Sequence, residues 1–391
     1  MVLVQGERII AVGPRQRDGA HGGAVKVPPG ATEIDLGGAT LLPGFVNSHA
    51  HLSQEFMDRF LTEALAEGVT TVCSTGGLVA EIAAVHASGA EPDHARAFSA
   101  GGAISALGGY PGAVRNPDAM LPVANADEAQ EAVRRLDDSD ADYVKVVLEE
   151  FNWNFQTPGD TLPLLSNDAL NAAVEAAHER DLIVRTHVRY ATQLDAALRA
   201  GVDSIEHITF PFARGSGFDQ LLEQDQLELS SLPDFPQRIQ RMVEADVLLV
   251  PTLNNEIDSV GSLEGHDQSE KDAIGQFAFQ IVGAFHRAGG RVALGTDANG
   301  RSMVELGMPF KEIEYLLRSG LTPADVIVAA TRNAAEACDQ EHRLGTIKQG
   351  KLADLIAVNG DPLTDPLGSL GQIRLVVKGG RVVESAGTSP E

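Results

Sequence analysis

The residues best equipped for chemistry sit at the ends of apolar stretches. His49 and His51 close LLPGFVNSHAH, His187 closes LIVRTH, His207 closes DSIEH and Asp297 closes VALGTD. Residues two apart on a strand point to the same side, so the imidazoles of His49 and His51 are expected to face one point. Imidazole and carboxylate donors without thiolate suit Zn²⁺ and, less selectively, Mn²⁺, Co²⁺ or Fe²⁺. An ion with an open position brings the pKa of water to roughly 7 and polarises a carbonyl. Asp297, beside that water, could take its proton and pass it to a leaving nitrogen. The expected chemistry is metal-assisted hydrolysis.

Lys145 lies inside the apolar segment Tyr-Val-Lys-Val-Val-Leu, where an unpaired ammonium is costly to bury. Pairing with Glu149 or Glu150 is one resolution, and a stem that snorkels to the mouth of the fold is another. A third is carbamylation by carbon dioxide, which would turn the amine into an anionic carboxylate able to bridge two cations. The remaining histidines, His21, His86, His94, His178, His266, His286 and His342, fall on expected helices or loops and need no role in the site. No GxxxxGK[ST], strand-linked GxGxxG or GxSxG occurs, so neither a nucleotide cofactor nor serine hydrolase chemistry is indicated.

These ligands must be held by strands. Apolar runs at 44–51, 69–74, 95–100, 143–148, 183–187, 204–207, 247–251 and 292–297 alternate with loops and helical patterns, the signature of parallel β/α units. One helix is expected after a cap at Ser166 or Asn167, with Leu170, Val174 and Ala177 at helical spacing. Eight such strands point to an α/β fold, a (β/α)8 TIM-like barrel, whose chemistry gathers at the C-terminal strand ends. The ends of the chain read differently. Short strands at 2–4, 8–12 and 32–36, and glycine-punctuated strands without helical period from 347 to 383, suggest one small sheet domain closed by both termini. The expected division is 1–43 with 345–391 for that domain and 44–344 for the barrel. The long connections 149–165 and 211–236 are candidates for a lid or substrate wall.

With 391 residues, 43% hydrophobic and 22% charged, the chain is long enough for a barrel plus a satellite domain and ordinary for a soluble enzyme. Fifty-five acidic against 30 basic residues give a net charge of −25, which would repel a phosphate backbone or an anionic membrane. Nucleic acid and membrane are therefore not expected partners; a homo-oligomer is left open. Cys73 and Cys338 stand far apart outside any metal spacing, so no disulfide framework is expected and both should pack as small hydrophobes. With no signal sequence and no long apolar run, the cytoplasm is the expected compartment.

Taken in order, LLPGFVNSHAH, the isolated Lys145, RTH, IEH, GTDA and GTIKQGKLADLIAVNGDPL resemble the amidohydrolase superfamily over nearly the whole chain. Lys145, AALRAGVDSIEH and EADVLLVPTL look most like its imidazolonepropionase-like and Xaa-Pro dipeptidase (prolidase-like) branch. The resemblance implies that the termini form a composite β-sandwich beside a metal-binding barrel, and that the chain hydrolyses a C–N bond, amide or peptide, in a small molecule. His49 and His51 would hold one ion and His187 and His207 a second; carboxylated Lys145 would bridge them, and Asp297 would bind the first ion and act as base. In a one-ion version His207 shuttles a proton and Lys145 is structural. Arg189 and Tyr190 would hold a substrate carboxylate. The sequence departs from the family in three places: it is short before VLVQGERIIAVG, it has Gly108-Gly109-Tyr110-Pro111-Gly112 where relatives often have GGHG, and LEEFNWNF follows Lys145. Tyr110 and Trp153 thereby become candidate contacts for a bulky or aromatic substrate. Cyclic-amide hydrolysis, deamination and lactone hydrolysis use the same water, and a metal-retaining binding protein without turnover is the alternative outside enzymes.

Overall fold

The computed structural model describes residues 1–15, 24–112, 119–150, 162–207, 234–261, 268–299 and 305–383. Sixteen strands are present among them: β1 Val2–Gln5, β2 Arg8–Val12, β3 Thr40–Pro43, β4 Phe45–Ala50, β5 Val69–Ser74, β6 Arg96–Ser99, β7 Ala103–Ala106, β8 Met120–Val123, β9 Val144–Leu148, β10 Val184–Val188, β11 Ser204–Glu206, β12 Leu248–Val250, β13 Arg291–Val292, β14 Leu355–Val358, β15 Ile373–Lys378 and β16 Arg381–Val383.

The middle of the chain is a parallel α/β structure. A three-stranded sheet runs β4-β5-β6, and a seven-stranded sheet runs β13-β12-β11-β10-β9-β7-β8. Hydrogen bonds join the two: Ser48 N–H donates to Leu294 O at 3.0 Å, Ala50 bridges Ala298, and Asp142 N–H donates to Ser99 O at 3.0 Å. All eight strands expected from the sequence occur. The eighth is shortened to Arg291–Val292, and β7 and β8 are additions that follow β6.

Helices between the strands follow their caps. Ser166 accepts from Ala169 N–H at 3.2 Å and opens the helix Asn167–His178, which buries Leu170, Val174 and Ala177 as the cap and the spacing require. Asn125 and Glu128 cap the helix Ala126–Asp137 reciprocally, and Ala129, Ala132, Val133 and Leu136 form its buried stripe. Two apolar layers result, one between strands and helices that includes Val144, Val146, Val184 and Ile205, and one inside the strands that includes Val46, Tyr143, Leu248 and Val250.

The two ends of the chain meet. β3 pairs antiparallel with β14, in a sheet ordered β16-β15-β14-β3, while β1 and β2 form a hairpin. Ile9 N–H donates to Lys351 O at 2.9 Å and Ala353 N–H to Glu7 O at 2.8 Å, and an apolar layer contains Ile9, Ala353, Leu355 and Val377. Two expectations are corrected here. Residues 32–36 form no strand; the pairing partner of the C-terminal sheet is Thr40–Pro43, whose two adjacent leucines face opposite sides, Leu42 toward the main core and Leu41 toward the layer of Ile9 and Val377. The C-terminal segment also holds a short helix, Pro366–Leu370, started by Asp365, which accepts from Gly368 N–H at 3.1 Å.

Cys73 and Cys338 are corrected as well. Both are buried in the interior apolar cluster, and their sulfurs are joined as a disulfide across 265 residues. The pairing follows from fold geometry, since the short helix Ala334–Glu336 just before Cys338 packs against β4, the neighbour of β5, and no local spacing announces it. The cysteine count therefore carries no argument about compartment. Among the described residues, no helix is long and apolar enough to cross a membrane.

Arg96 on β6 ties the terminal sheet to the parallel strands through Asp354, with Nε to Oδ2 at 2.6 Å and Nη2 to Oδ1 at 3.2 Å; Asp354 also accepts from Gly379 N–H at 2.6 Å. Replacing Asp354 by Ala leaves Arg96 uncompensated and should lower the unfolding free energy by about 2 kcal/mol in urea titration; a loss under about 0.5 kcal/mol would mean the pair does not hold the sheet.

Candidate functional site

The interior side chains rise in layers set by strand register. Lys145 stands beside Arg185 and Arg185 beside Ser204; two residues further on, Val147, His187 and Glu206 form the next layer. His207 follows Glu206 and by strict alternation would point away. Its φ of 72° turns the chain instead, into a region that few residues other than glycine adopt. Its ring centre then lies 4.4 Å from that of His187 and 4.9 Å from that of His49. Asp297 and Thr252 are also left-handed, at φ 58° and 48°. Strained residues of this kind concentrate at functional sites because the surrounding fold over-determines them.

His49, His207 and Asp297 bring ligand atoms within 4.8 Å of one another. Asp297 Oδ1 lies 2.9 Å from His51 Nε2 and 3.5 Å from His49 Nε2, and Oδ2 lies 4.0 Å from His207 Nδ1. The backbones are tied too, since Thr296 and Asp297 N–H donate to His49 O at 3.0 and 2.8 Å. Gly295 is obligatory for this approach: a Cβ there would stand 2.6 Å from both His49 Cβ and Val250 Cγ1. His187 lies beside His207, its Nε2 3.4 Å from Glu149 Oε2. Tyr110 is buried with its ring 5.6 Å from that of His187. Tyr190 opens the helix Ala191–Ala200, and Gln193 Oε1 accepts from its backbone N–H at 3.1 Å. Trp153 and most of both long connections lie outside the described residues.

Three carboxylates and an amide that sequence reasoning did not assign to the site complete it, together with Glu149 of LEEFNWNF. Glu206 is fully buried, accepts from Arg185 Nε and Nη2 at 3.0 and 3.1 Å and from Ser204 Oγ at 2.7 Å, and hydrogen-bonds His49 Nδ1. Glu256 contacts Arg189 and lies 3.3 Å from His207 Nδ1, which also meets Thr252 Oγ1 at 2.8 Å. Glu149 lies 3.7 Å from Arg189 Nε as well as against His187. Asn255 Nδ2 donates to Asp297 Oδ2 at 2.6 Å. Glu312 stands one step behind, against the backbone of 253 and 254. The other described histidines are elsewhere; His86, His178 and His286 pair with Asp142, Asp203 and Asp325.

Lys145 is buried, and its Nζ has no hydrogen-bond partner among the described residues. Its neighbouring carboxylate is Glu206 at 4.0 Å, whereas Glu149 is engaged with His187 and Arg189. Burial lowers its pKa to about 8 against the pull of Glu206. Burial likewise lowers His49 to about 3, with Lys145 adding to the shift, and takes His187 well below its usual value. These two imidazoles are therefore neutral at pH 7 and free to act as ligands. Burial alone would raise Asp297, but the hydrogen bond from His51 and the adjacent imidazoles hold it low, as a carboxylate.

Such a cluster of imidazoles around one carboxylate fits a divalent cation. The bond to Glu206 occupies Nδ1 of His49 and leaves Nε2 toward Asp297, an arrangement that fixes tautomer and ring orientation. Glu206→Gln should weaken Zn²⁺ binding roughly 10- to 100-fold in a chelator competition; unchanged affinity would show that His49 needs no orienting group.

Comparison with known proteins bears on this site. Residues 40–383 match the amidohydrolase family. An uncharacterized protein of Mycobacterium tuberculosis is 29% identical over 371 residues, covering 90% of this chain and 88% of its own. The imidazolonepropionase of Geobacillus kaustophilus is 37% identical over 102 residues, 26% of this chain and 24% of that one. Among solved structures, a Xaa-Pro dipeptidase with bound methionine superposes with a TM-score of 0.73 at 24% identity, covering 98% of this chain and 94% of the other. The A. niger ochratoxinase gives a TM-score of 0.69 at 22% identity, covering 89% and 84%.

Proposed function

Since the chain belongs to the amidohydrolase family and so is a hydrolase of carbon–nitrogen bonds, we propose that it cleaves an amide or peptide bond of a small molecule at a divalent metal centre held by His49, His51, Lys145, His187, His207 and Asp297. We read the two joined parallel sheets as one closed (β/α)8 barrel and the terminal sheets as a composite β-sandwich. The hydrogen bonds from Ser48 to Leu294 and from Asp142 to Ser99 support the first reading, and the β3–β14 pairing the second.

The observation that carries the proposal is the convergence of His49, His207 and Asp297 over a buried lysine whose Nζ lacks a partner among the described residues. An ammonium there is poorly compensated, and a carboxylated Lys145 would give the layer an anion between two cations. A divalent ion, with Zn²⁺ first and Mn²⁺, Co²⁺ or Fe²⁺ as alternatives, supplies an acidified water and polarises the scissile carbonyl. Asp297, kept anionic, accepts the proton of that water at its carboxylate and returns it to the leaving nitrogen. Asn255 holds one oxygen of Asp297 so that the other stays toward His49 and His51. His207, fixed by Thr252 and Glu256, binds or relays a proton according to whether two ions or one are present.

For substrate we propose a dipeptide or N-acyl amino acid of bulky or aromatic character. Tyr110 beside His187 gives an apolar face to the site, and similarity to a Xaa-Pro dipeptidase supports the peptide class. Arg189, held by Glu149 and Glu256, would with Tyr190 face the substrate carboxylate, and Trp153 would extend the wall. The 102 residues shared with an imidazolonepropionase favour a cyclic amide as the second reading.

Zinc-loaded protein assayed on dipeptides, N-acyl amino acids and cyclic amides decides between the readings, and hydrolysis of none of them would refute both. Asp297→Asn should lower kcat by roughly 10²- to 10⁴-fold on the preferred substrate, the loss of a general base. Metal analysis should give roughly two ions per chain, falling in Lys145→Ala together with turnover; full metal content and activity in that variant would rule out the bridging lysine.

A further inference from the structure

Helix 253–261 begins directly after β12 and carries much of what surrounds the site: Thr252 and Glu256 meet His207, and Asn255 meets Asp297. Its first turn has backbone N–H groups with no partner inside the helix. Two of them are taken by one side chain from elsewhere in the chain. Glu312, on the helix Phe310–Arg318 and fully buried, accepts from Leu253 N–H through Oε1 at 3.0 Å and from Asn254 N–H through Oε2 at 2.7 Å.

We propose that Glu312 is a positioning residue for Asp297: by gripping the N–H groups of Leu253 and Asn254 it sets where Asn255 stands, and Asn255 in turn fixes the carboxylate of Asp297. The inference rests on the reading of Asp297 as the base. Its geometric ground is the run of consecutive contacts, since residues 253 and 254 are held from behind while residues 252, 255 and 256 face the ligands. Thr252 at φ 48° makes the turn into this helix a strained one, which needs an external partner to persist. A buried carboxyl is an expensive way to tie down two amides unless their position matters. Burial pushes this one up to about 8 although both amides pull it down. Among the described residues Glu312 has no hydrogen bond or ion pair with any histidine, and its two hydrogen bonds are to the start of the helix.

The test uses full-length protein labelled with ¹⁵N-histidine, metal-free, in wild type, Glu312→Ala, Glu312→Gln, Asn255→Ala and the Glu312→Ala/Asn255→Ala double variant. Loss of either Glu312 or Asn255 should shift the imidazole resonances of His51 and His207 in the same direction, with the double variant no further displaced than Asn255→Ala. Glu312→Gln, which keeps one acceptor oxygen, should fall between wild type and Ala. Wild-type resonances in folded Glu312→Ala, or displacements that add to those of Asn255→Ala, would overturn the proposal. If Glu312→Ala does not fold, Glu312→Gln alone and combined with Asn255→Ala makes the same comparison. With a substrate in hand, Glu312→Gln should lower kcat about tenfold with KM unchanged. Failure of the wild type to turn over any substrate would count against the proposed function while the resonances still decide the role of Glu312.

Discussion

The site depends on one buried carboxylate. Glu206 lies in the strand interior, where an isolated anion would be prohibitively costly. It persists because Arg185 and Ser204 hydrogen-bond it, His49 caps it and Lys145 stands at 4.0 Å. That single group fixes what lies around it. Arg185, itself fully buried and stacked 4.9 Å over the Tyr143 ring, must be present to neutralise it. His49 must present Nδ1 downward, and so Nε2 upward. The imidazole cluster is thus built on a layer of paired charge rather than on apolar packing, which gives a defined orientation where alkyl side chains would give only volume.

Above that layer the fold uses backbone strain to complete the cluster. His207, Thr252 and Asp297 all lie beyond the ends of parallel strands in left-handed conformation, and His207 turns inward a side chain that the pleat would send elsewhere. Gly295 permits the close passage of the chain past His49. His207 hydrogen-bonds Thr252 and Asp297 hydrogen-bonds Asn255, so both are tied to the same short stretch of chain.

The convergence of His49, His207 and Asp297 was legible because each closes an apolar run, a pattern that occurs here four times. The strands themselves were legible for the same reason, including the two β-rich ends. Glu206, Arg185 and Glu256 were not found, although Arg185 and Glu206 sit inside LIVRTH and DSIEH, where the argument applied to Lys145 would have flagged them. Which charge pairs with which was hidden, because the carboxylate beside Lys145 proved to be Glu206, two strands away, rather than the nearby Glu149. The Cys73–Cys338 link and the β3 pairing were equally out of reach, since both join segments hundreds of residues apart and leave no periodic trace. Residues 32–36 alternated like a strand but found no neighbour, a reminder that pairing partners decide which of two adjacent segments becomes one.

The pairing of β3 with β14 also constrains how the molecule comes into being. Thr40–Pro43 is made early, yet its hydrogen-bonding partner, Leu355–Val358, is made more than three hundred residues later. During synthesis the apolar edge of β3 must wait, unpaired, while each parallel strand and helix forms from nearer neighbours. Contacts of such sequence separation are slow to close and leave edges open to other chains. The closure of the terminal sheet is therefore a late event in folding, and the interval before it is when this chain is most exposed to association with copies of itself.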